Sequence, residues 1–171
     1  MKVRDILNKD TFVYVLDFYK LKEDEVPNKI YKCKVNLKYE EWDRSMWGEE
    51  TPIKHIQGTI RSSKNFSNGA DFQVIRLCND ARESTPEHTG MHGQDHLFDD
   101  EFEEVLNSTH IDVYHYRVFA AKEDAEAYIR ELCRKKIEEY TKLISKYYNI
   151  IDKLEKIKKI ILNNYECNSI Y

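Results

Sequence analysis

The stretch from Ile30 to Tyr39, which reads IYKCKVNLKY, decides the fold class of this chain. Cys33, Val35 and Leu37 fall on one side of an extended segment, and the residues between them, mostly lysines, fall on the other side. Such alternation predicts a β-strand with one face on a core and one face in water. Strands of this half-buried kind are typical of antiparallel sheets.

Four more strands are predicted around this one. The segment from Thr11 to Tyr19 (TFVYVLDFY) is β-branched and aromatic on both faces, which suits a central strand. The others are predicted at residues 53–61, 71–78 and 111–119. Asn68-Gly69 favours a hairpin between the strands at 53–61 and 71–78, because both residues tolerate a positive φ. Residues 1–120 are therefore expected to form an antiparallel β domain of about five strands, with a helical turn at 3–9.

The sequence changes character after residue 120. Lys122 to Asn163 contains no glycine or proline and is rich in helix formers, so residues 121–165 are predicted to form one long amphipathic helix. Apolar side chains recur there at alternating spacings of four and three, the pattern of a coiled-coil seam. They are Ile137, Tyr140, Ile144, Tyr147, Ile151 and Leu154. The predicted fold class is α+β, an antiparallel sheet followed by a long C-terminal helix.

The apolar seam of this helix needs something to cover it. The helix would reach about 60 Å, roughly twice the width of a compact domain of this size. We expect a homodimer in which the helix is the dimerisation element. Two alternatives remain open: the helix breaks near Asn149 and folds back, or the stripe packs across the sheet of its own chain.

Two groups of residues suit a protein partner. Residues 95–107 read as a short acidic helix, which could imitate the phosphates of a nucleic acid or be an ordinary solvated surface helix. Its carboxylates are Asp99, Asp100, Glu101, Glu103 and Glu104. Trp42, Met46 and Trp47 lie in residues 40–52, which read as a loop, and they either anchor a partner or plug the edge of the core.

Three histidines could hold a metal ion. Residues 79–94 are polar, contain two glycines and a proline, and are predicted to form a mobile loop. His88, His92 and His96 recur at four-residue intervals in and just after this loop, beside carboxylates. Zinc, iron and manganese prefer these ligand types, so a metal-dependent enzyme is one hypothesis. The alternative is a solvated loop, because the glycines disfavour the helix that would align the rings.

Basic and aromatic residues gather on the hairpin predicted at residues 53–78. Cations near an aromatic ring can hold a nucleotide by phosphate pairing and base stacking. The candidates are His55, Arg61, Lys64, Asn65, Phe66 and Arg76. The alternative is the ordinary exposed face of a sheet.

Composition argues against several classes of protein. The net charge of −4 argues against a general nucleic-acid binder, which needs clustered cations. No apolar run approaches the roughly 20 residues that span a bilayer. Residues 1–8 lack the apolar core of a signal peptide, so we expect a cytoplasmic protein with reduced cysteines. No Walker loop, nucleophile elbow or zinc-protease motif occurs, so the sequence assigns no cofactor and no catalytic residue.

Two short stretches carry a resemblance. Val3 to Leu7 (VRDIL) before a strand, and Val118 to Ala125 (VFAAKEDA) entering the long helix, resemble segments of small accessory proteins of Gram-positive phages and mobile elements. The resemblance implies a non-enzymatic protein that binds and inhibits a host component, often one of a defence system. This is the leading hypothesis. A sponge for a nucleotide signal, using the basic hairpin, and a metal-dependent enzyme are the alternatives.

Overall fold

The computed structural model describes residues 1–43, 52–62, 72–79, 95–113 and 115–167. A 3-10 helix at Val3–Ile6 comes first. The strands are β1 (Asp10–Asp17), β2 (Ile30–Trp42), β3 (Ile53–Ser62), β4 (Phe72–Cys78), β5 (Asp95–His96), β6 (His110–Val113) and β7 (Tyr116–Phe119). Helix α1 (Asp99–Asn107) lies between β5 and β6 in the sequence, and helix α2 (Lys122–Cys167) follows β7. The predicted α+β class, with a long C-terminal helix, is confirmed.

The strands form a single sheet in the order β5-β4-β3-β2-β1-β7-β6. Neighbouring strands are antiparallel except β4 and the two-residue β5, which are parallel. β2 stands in the middle of this order, and its pairing with β3 runs from Cys33 opposite Ser62 to Trp42 opposite Ile53. The strand predicted at residues 30–39 therefore lies at the centre of the sheet.

The prediction of one continuous strand at residues 111–119 is wrong. The chain turns at His115, and β6 and β7 pair with each other as a hairpin. The side chains of Asp112 and Arg117 lie opposite each other in this hairpin and form an ion pair. Within the described residues, the sheet therefore has six antiparallel strands plus the short parallel β5, where about five strands were expected.

Two other predicted boundaries are corrected. Residues 40–42 belong to β2 rather than to a loop, because they pair with the start of β3. The acidic helix begins at Asp99 rather than at residue 95, because Asp95 and His96 pair with the end of β4. The Phe98 N–H donates to Glu101 Oε2 at 2.9 Å, which satisfies a backbone donor at the start of α1.

One face of the sheet carries the main hydrophobic core. The buried residues from the strands include Val13, Val15, Cys33, Val35, Leu37, Ile56, Ile60, Ile75 and Leu77. Phe102 and Leu106 of α1, with Val3 and Ile6 of the 3-10 helix, belong to the same cluster. The alternation predicted for β2 is confirmed, because Cys33, Val35 and Leu37 are buried here, Tyr31 and Tyr39 on the same side are half-buried, and the residues between them are exposed.

The opposite face of the sheet meets the first turns of α2. Leu16, Phe119 and Ala125 form a second, smaller cluster there. On β2, β3 and β4 the same face instead carries polar and basic side chains. We call this region the open face, and define it by Lys34, Asn36, Lys38, Gln57, Thr59, Val74 and Arg76.

The chain divides into two compact units, Met1–Ile129 and Arg130–Tyr171. α2 runs without interruption through Asn149, so the alternative in which the helix breaks there is wrong. Within the described residues, no helix has both the length and the hydrophobicity needed to cross a membrane.

Candidate functional site

The apolar seam of α2 consists of Ile137, Tyr140, Ile144, Tyr147, Ile151 and Leu154, and all six side chains are exposed. Their exposed fractions range from 41% for Tyr140 to 66% for Ile137. Every residue from 137 to 162 is exposed. Water therefore contacts a continuous apolar stripe about five helical turns long, which is unusual for a stable helix.

The structure adds a second row of apolar residues beside this seam. Leu143, Ile150 and Ile157 follow one another at intervals of seven and are 41–52% exposed. In the heptad that places Ile137 and Ile144 at position a, they occupy position g, next to the seam. Sequence reasoning missed this row, although its seven-residue spacing is visible in the sequence. The apolar face is thus three positions wide in each heptad.

Ion pairs on α2 support the helix itself. Arg134 contacts Glu131 at 2.6 Å, one turn away, and also pairs with Glu138. The hydrogen bond from Arg134 lowers the pKa of the Glu131 carboxyl. Lys156 contacts Asp152 at 2.6 Å in the same way. Pairs at these spacings stabilise a helix only slightly. They leave the apolar face uncovered.

The open face of the sheet forms a shallow depression of about 590 Å³. Lys34, Lys38 and Arg76 bring three cations to its lining. Asp10 lies at its rim, where Asp10 Oδ1 accepts a hydrogen bond from Asn36 Nδ2 at 2.9 Å and the other oxygen lies 3.9 Å from Lys34 Nζ. The depression is therefore polar and mainly basic, which suits an anionic ligand.

An aromatic corner lies at the end of this face. The rings of Trp42 and His55 stack with centroids 4.0 Å apart and planes inclined by 33°. Together with Arg76 they line a small cavity of about 160 Å³. The register explains the contact, because Trp42 and His55 are diagonal neighbours on β2 and β3. Trp42, which was predicted to bind a protein partner, thus lies beside His55 and Arg76, which were predicted to bind a ligand.

The remaining residues of those two predictions are only partly placed. Arg61 lies in β3 two residues after Thr59. Alternation predicts the same face of the strand for it as for His55, but its side chain falls outside the described part. Five other candidates lie outside the described residues altogether: Met46, Trp47, Lys64, Asn65 and Phe66.

Most carboxylates of α1 make contacts within the chain. Glu103 accepts a hydrogen bond from Lys54 Nζ at 2.7 Å and lies 3.4 Å from Arg4, so it ties α1 to β3 and to the 3-10 helix. This hydrogen bond raises the pKa of Lys54. Asp99 pairs with the side chain of Asn79. These bonds hold the helix against the sheet.

The other acidic side chains of α1 differ in what they can offer to a partner. Glu101 caps the start of the helix, as described above. Asp100 and Glu104 are exposed. Asp100 Oδ1 accepts a hydrogen bond from the neighbouring Glu101 N–H at 3.0 Å. Of the five predicted carboxylates, Asp100 and Glu104 are the ones best placed to meet another molecule.

The histidine cluster cannot be placed as a whole. His88 and His92 lie outside the described residues, and the backbone of His96 forms the second residue of β5. No group of three potential metal ligands occurs among the described side chains. The metal site stays a prediction.

Two shifted pKa values in the sheet have structural causes. Burial, followed by the hydrogen bond to Glu41, raises the pKa of Tyr39. Burial lowers the pKa of His110, whose ring lies 5.2 Å from that of Phe119. Neither group lines the open face or the aromatic corner.

Three surfaces thus stand out: the seam of α2, the open face with its aromatic corner, and the exposed carboxylates of α1. Each presents groups suited to binding another molecule. Comparison of the chain with protein-family models, with curated proteins and with solved structures found no match.

Proposed function

We propose that this chain is a non-enzymatic binding protein of the phage or mobile-element kind, which dimerises through α2 and sequesters or inhibits a host protein in the cytoplasm. A component of a host defence system is the target class implied by the resemblance of residues 3–7 and 118–125. The observation that carries the proposal is the uncovered apolar face of α2, since a binding surface explains it and a solitary helix does not.

The apolar burial that this face offers is of the order that a dimer requires. Its nine residues at positions a, d and g between Ile137 and Ile157 are each 41–66% exposed. Covering the exposed part of such side chains contributes roughly 1 kcal/mol each, or roughly 18 kcal/mol for two chains. Association costs about 4–15 kcal/mol in lost translational and rotational freedom. Ordering each interface side chain costs about a further 0.5–1.5 kcal/mol, so the gain from burial and the cost of association are of the same order.

Light scattering tests the dimer directly. The wild-type mass should be twice the 20.5 kDa of one chain. The double variant Ile144→Glu, Ile151→Glu places two charges in the seam and should give the mass of one chain. Ser145→Glu with Asn149→Glu adds the same charge outside the seam and should stay dimeric. A monomeric wild type, or equal behaviour of both double variants, contradicts the proposal.

The host partner is expected to meet the first unit, at Trp42 and at the exposed carboxylates Asp100 and Glu104 of α1. Trp42 is 54% exposed, and large aromatic side chains often dominate the binding energy of an interface. Affinity capture from host lysate should recover one protein at constant stoichiometry with the wild type. Trp42→Ala, or Asp100→Lys with Glu104→Lys, should lose it, while Lys2→Ala keeps it. Repeated capture of nothing specific argues against the proposal.

A second function is favoured by the aromatic corner and the cations beside it. The stacked ring of Trp42 and the guanidinium of Arg76 line one cavity, a combination that suits a nucleotide base and phosphate. The chain would then act as a sponge for a nucleotide signal. Thermal unfolding against a panel of nucleotides tests this, because a ligand present at 100 times its dissociation constant adds about 2.7 kcal/mol to the stability. No shift at millimolar nucleotide removes this candidate.

A further inference from the structure

The apolar face of α2 is nearly symmetric when its sequence is read in both directions from Asn149. Seam positions at equal distances on either side of this residue are Tyr147 and Ile151, Ile144 and Leu154, Tyr140 and Lys158, and Ile137 and Ile161. In heptad terms each pair joins an a position to a d position. Two antiparallel helices bring a positions against d positions, whereas parallel helices bring a against a and d against d.

We propose that α2 pairs with the α2 of a second copy in antiparallel orientation, with the twofold axis beside Asn149. The inference rests on the dimer proposed above and adds its geometry. In this register each isoleucine of the seam faces a tyrosine, a leucine or another isoleucine of the partner helix. Each of the two tyrosines faces a non-aromatic side chain, Ile151 or Lys158, so no layer of the interface holds two aromatic rings against each other, which favours close packing.

Lys158 supplies the strongest argument for this orientation. It occupies the a position that follows Ile151, so a parallel pair would place two Lys158 ammonium groups against each other in the seam. Like charges at that position destabilise a coiled coil, and burial makes the cost larger. In the antiparallel register Lys158 faces Tyr140, whose ring can hold the ammonium by a cation–π contact. The residue that interrupts the seam then has a partner.

The second apolar row supports the same arrangement. In an antiparallel pair, g positions face g positions of the other helix, so Ile150 meets Ile150 and Leu143 meets Ile157. In a parallel pair the g positions face e positions instead, so Leu143 would meet Tyr148 and Ile157 would meet Leu162, but Ile150 in the middle would meet the carboxylate of Glu155. The antiparallel register gives all three residues of the row an apolar neighbour, and the parallel one gives it to two.

Distances between spin labels distinguish the two orientations without altering the seam. Lys135 and Asn149 both lie at outward f positions, and each is changed to cysteine for labelling in the full chain. Cys133 and Cys167 are first changed to serine, while Cys33 and Cys78 are buried and can remain. In the antiparallel pair the labels at position 135 are separated along the axis by 28 residues, about 40 Å. The labels at position 149 lie at the same level, so their distance is about 25 Å or less, set by the width of two helices.

The outcomes separate this inference from the proposed dimer. A long distance at position 135 together with a short one at 149 supports the antiparallel pair. A dimeric mass with short distances at both positions overturns the orientation and leaves the dimer intact. A broad distribution at position 135 without a maximum near 40 Å also overturns it. A monomeric mass with no distance between labels removes both the dimer and its geometry.

Discussion

Replacing Gly58 by alanine should destabilise the first unit, although glycine is normally a poor residue in a strand. Gly58 lies in the middle of β3, opposite Leu37 of β2. A Cβ atom at this position would come within 2.5 Å of the Asn36 backbone oxygen and 2.8 Å of Leu37 Cδ2. The first contact is with backbone that belongs to the central strand, so it cannot be relieved by rotating a side chain.

Two opposing effects set the size of the change. Alanine reduces the conformational entropy of the unfolded chain relative to glycine, which stabilises by about 0.4–1 kcal/mol. Overpacking a close-packed site costs about 1–3 kcal/mol, and a backbone contact places this case near the upper end. The net expectation is a loss of about 2 kcal/mol, which corresponds to a fall in Tm on the order of 5–10 °C.

Urea denaturation followed by tryptophan fluorescence measures this loss in the right unit, because both tryptophans precede residue 130. Gln57→Ala is the matched control, since it changes the neighbouring exposed residue of the same strand and should alter stability by less than about 0.5 kcal/mol. If Gly58→Ala is as stable as the wild type or more stable, the steric reasoning is refuted.

Three further predictions concern titration and metal content. Burial lowers the pKa of His110 from 6.5, so near pH 6.5 the unfolded chain binds more protons than the folded chain. The stability should therefore fall as the pH drops through 6.5. His110→Phe should flatten this part of the pH profile of Tm. The hydrogen bond to Glu103 raises the pKa of Lys54 above 10.5, so its contribution is complete below 10.5 and is lost as the pH rises through the folded value. Lys54→Met should cost less than about 1 kcal/mol at neutral pH, because the pair is partly exposed, and should remove that alkaline loss in urea titrations. If the histidine loop holds a metal, elemental analysis of untagged protein will find it at one ion per chain and His92→Ala will abolish it; a folded, metal-free wild type excludes the metal-dependent enzyme.

The strongest periodic signals in the sequence led to correct elements. The alternation in β2 and the absence of helix breakers in α2 both reflect local rules, in which side-chain spacing follows directly from backbone geometry. The hairpin of β6 and β7 was missed because Tyr114 and His115 are not turn-forming residues. The opposite charges of Asp112 and Arg117, five residues apart, were the available signal for it.

Features set by tertiary contacts were beyond sequence reasoning. The two residues of β5 pair in parallel with β4 across a long separation in sequence, and a dipeptide carries no pattern of its own. The stacking of Trp42 on His55 depends on the register of β2 against β3, which alternation alone does not fix. The role of Glu103 in holding α1 to the sheet depends likewise on where Lys54 and Arg4 arrive.

If α2 pairs as proposed, its exposed apolar stripe makes the fraction of dimer depend on the concentration of the protein. In the dimer proposed above, each copy would expose its apolar stripe to water at low concentration, and two copies would cover each other's stripe at higher concentration. The quantity of intact dimer would then rise more steeply than the rate of synthesis, because pairing depends on the square of the monomer concentration. At an expression level well below the dissociation constant of the dimer, a cell would contain almost no dimer. At a level well above that constant, most copies would be paired.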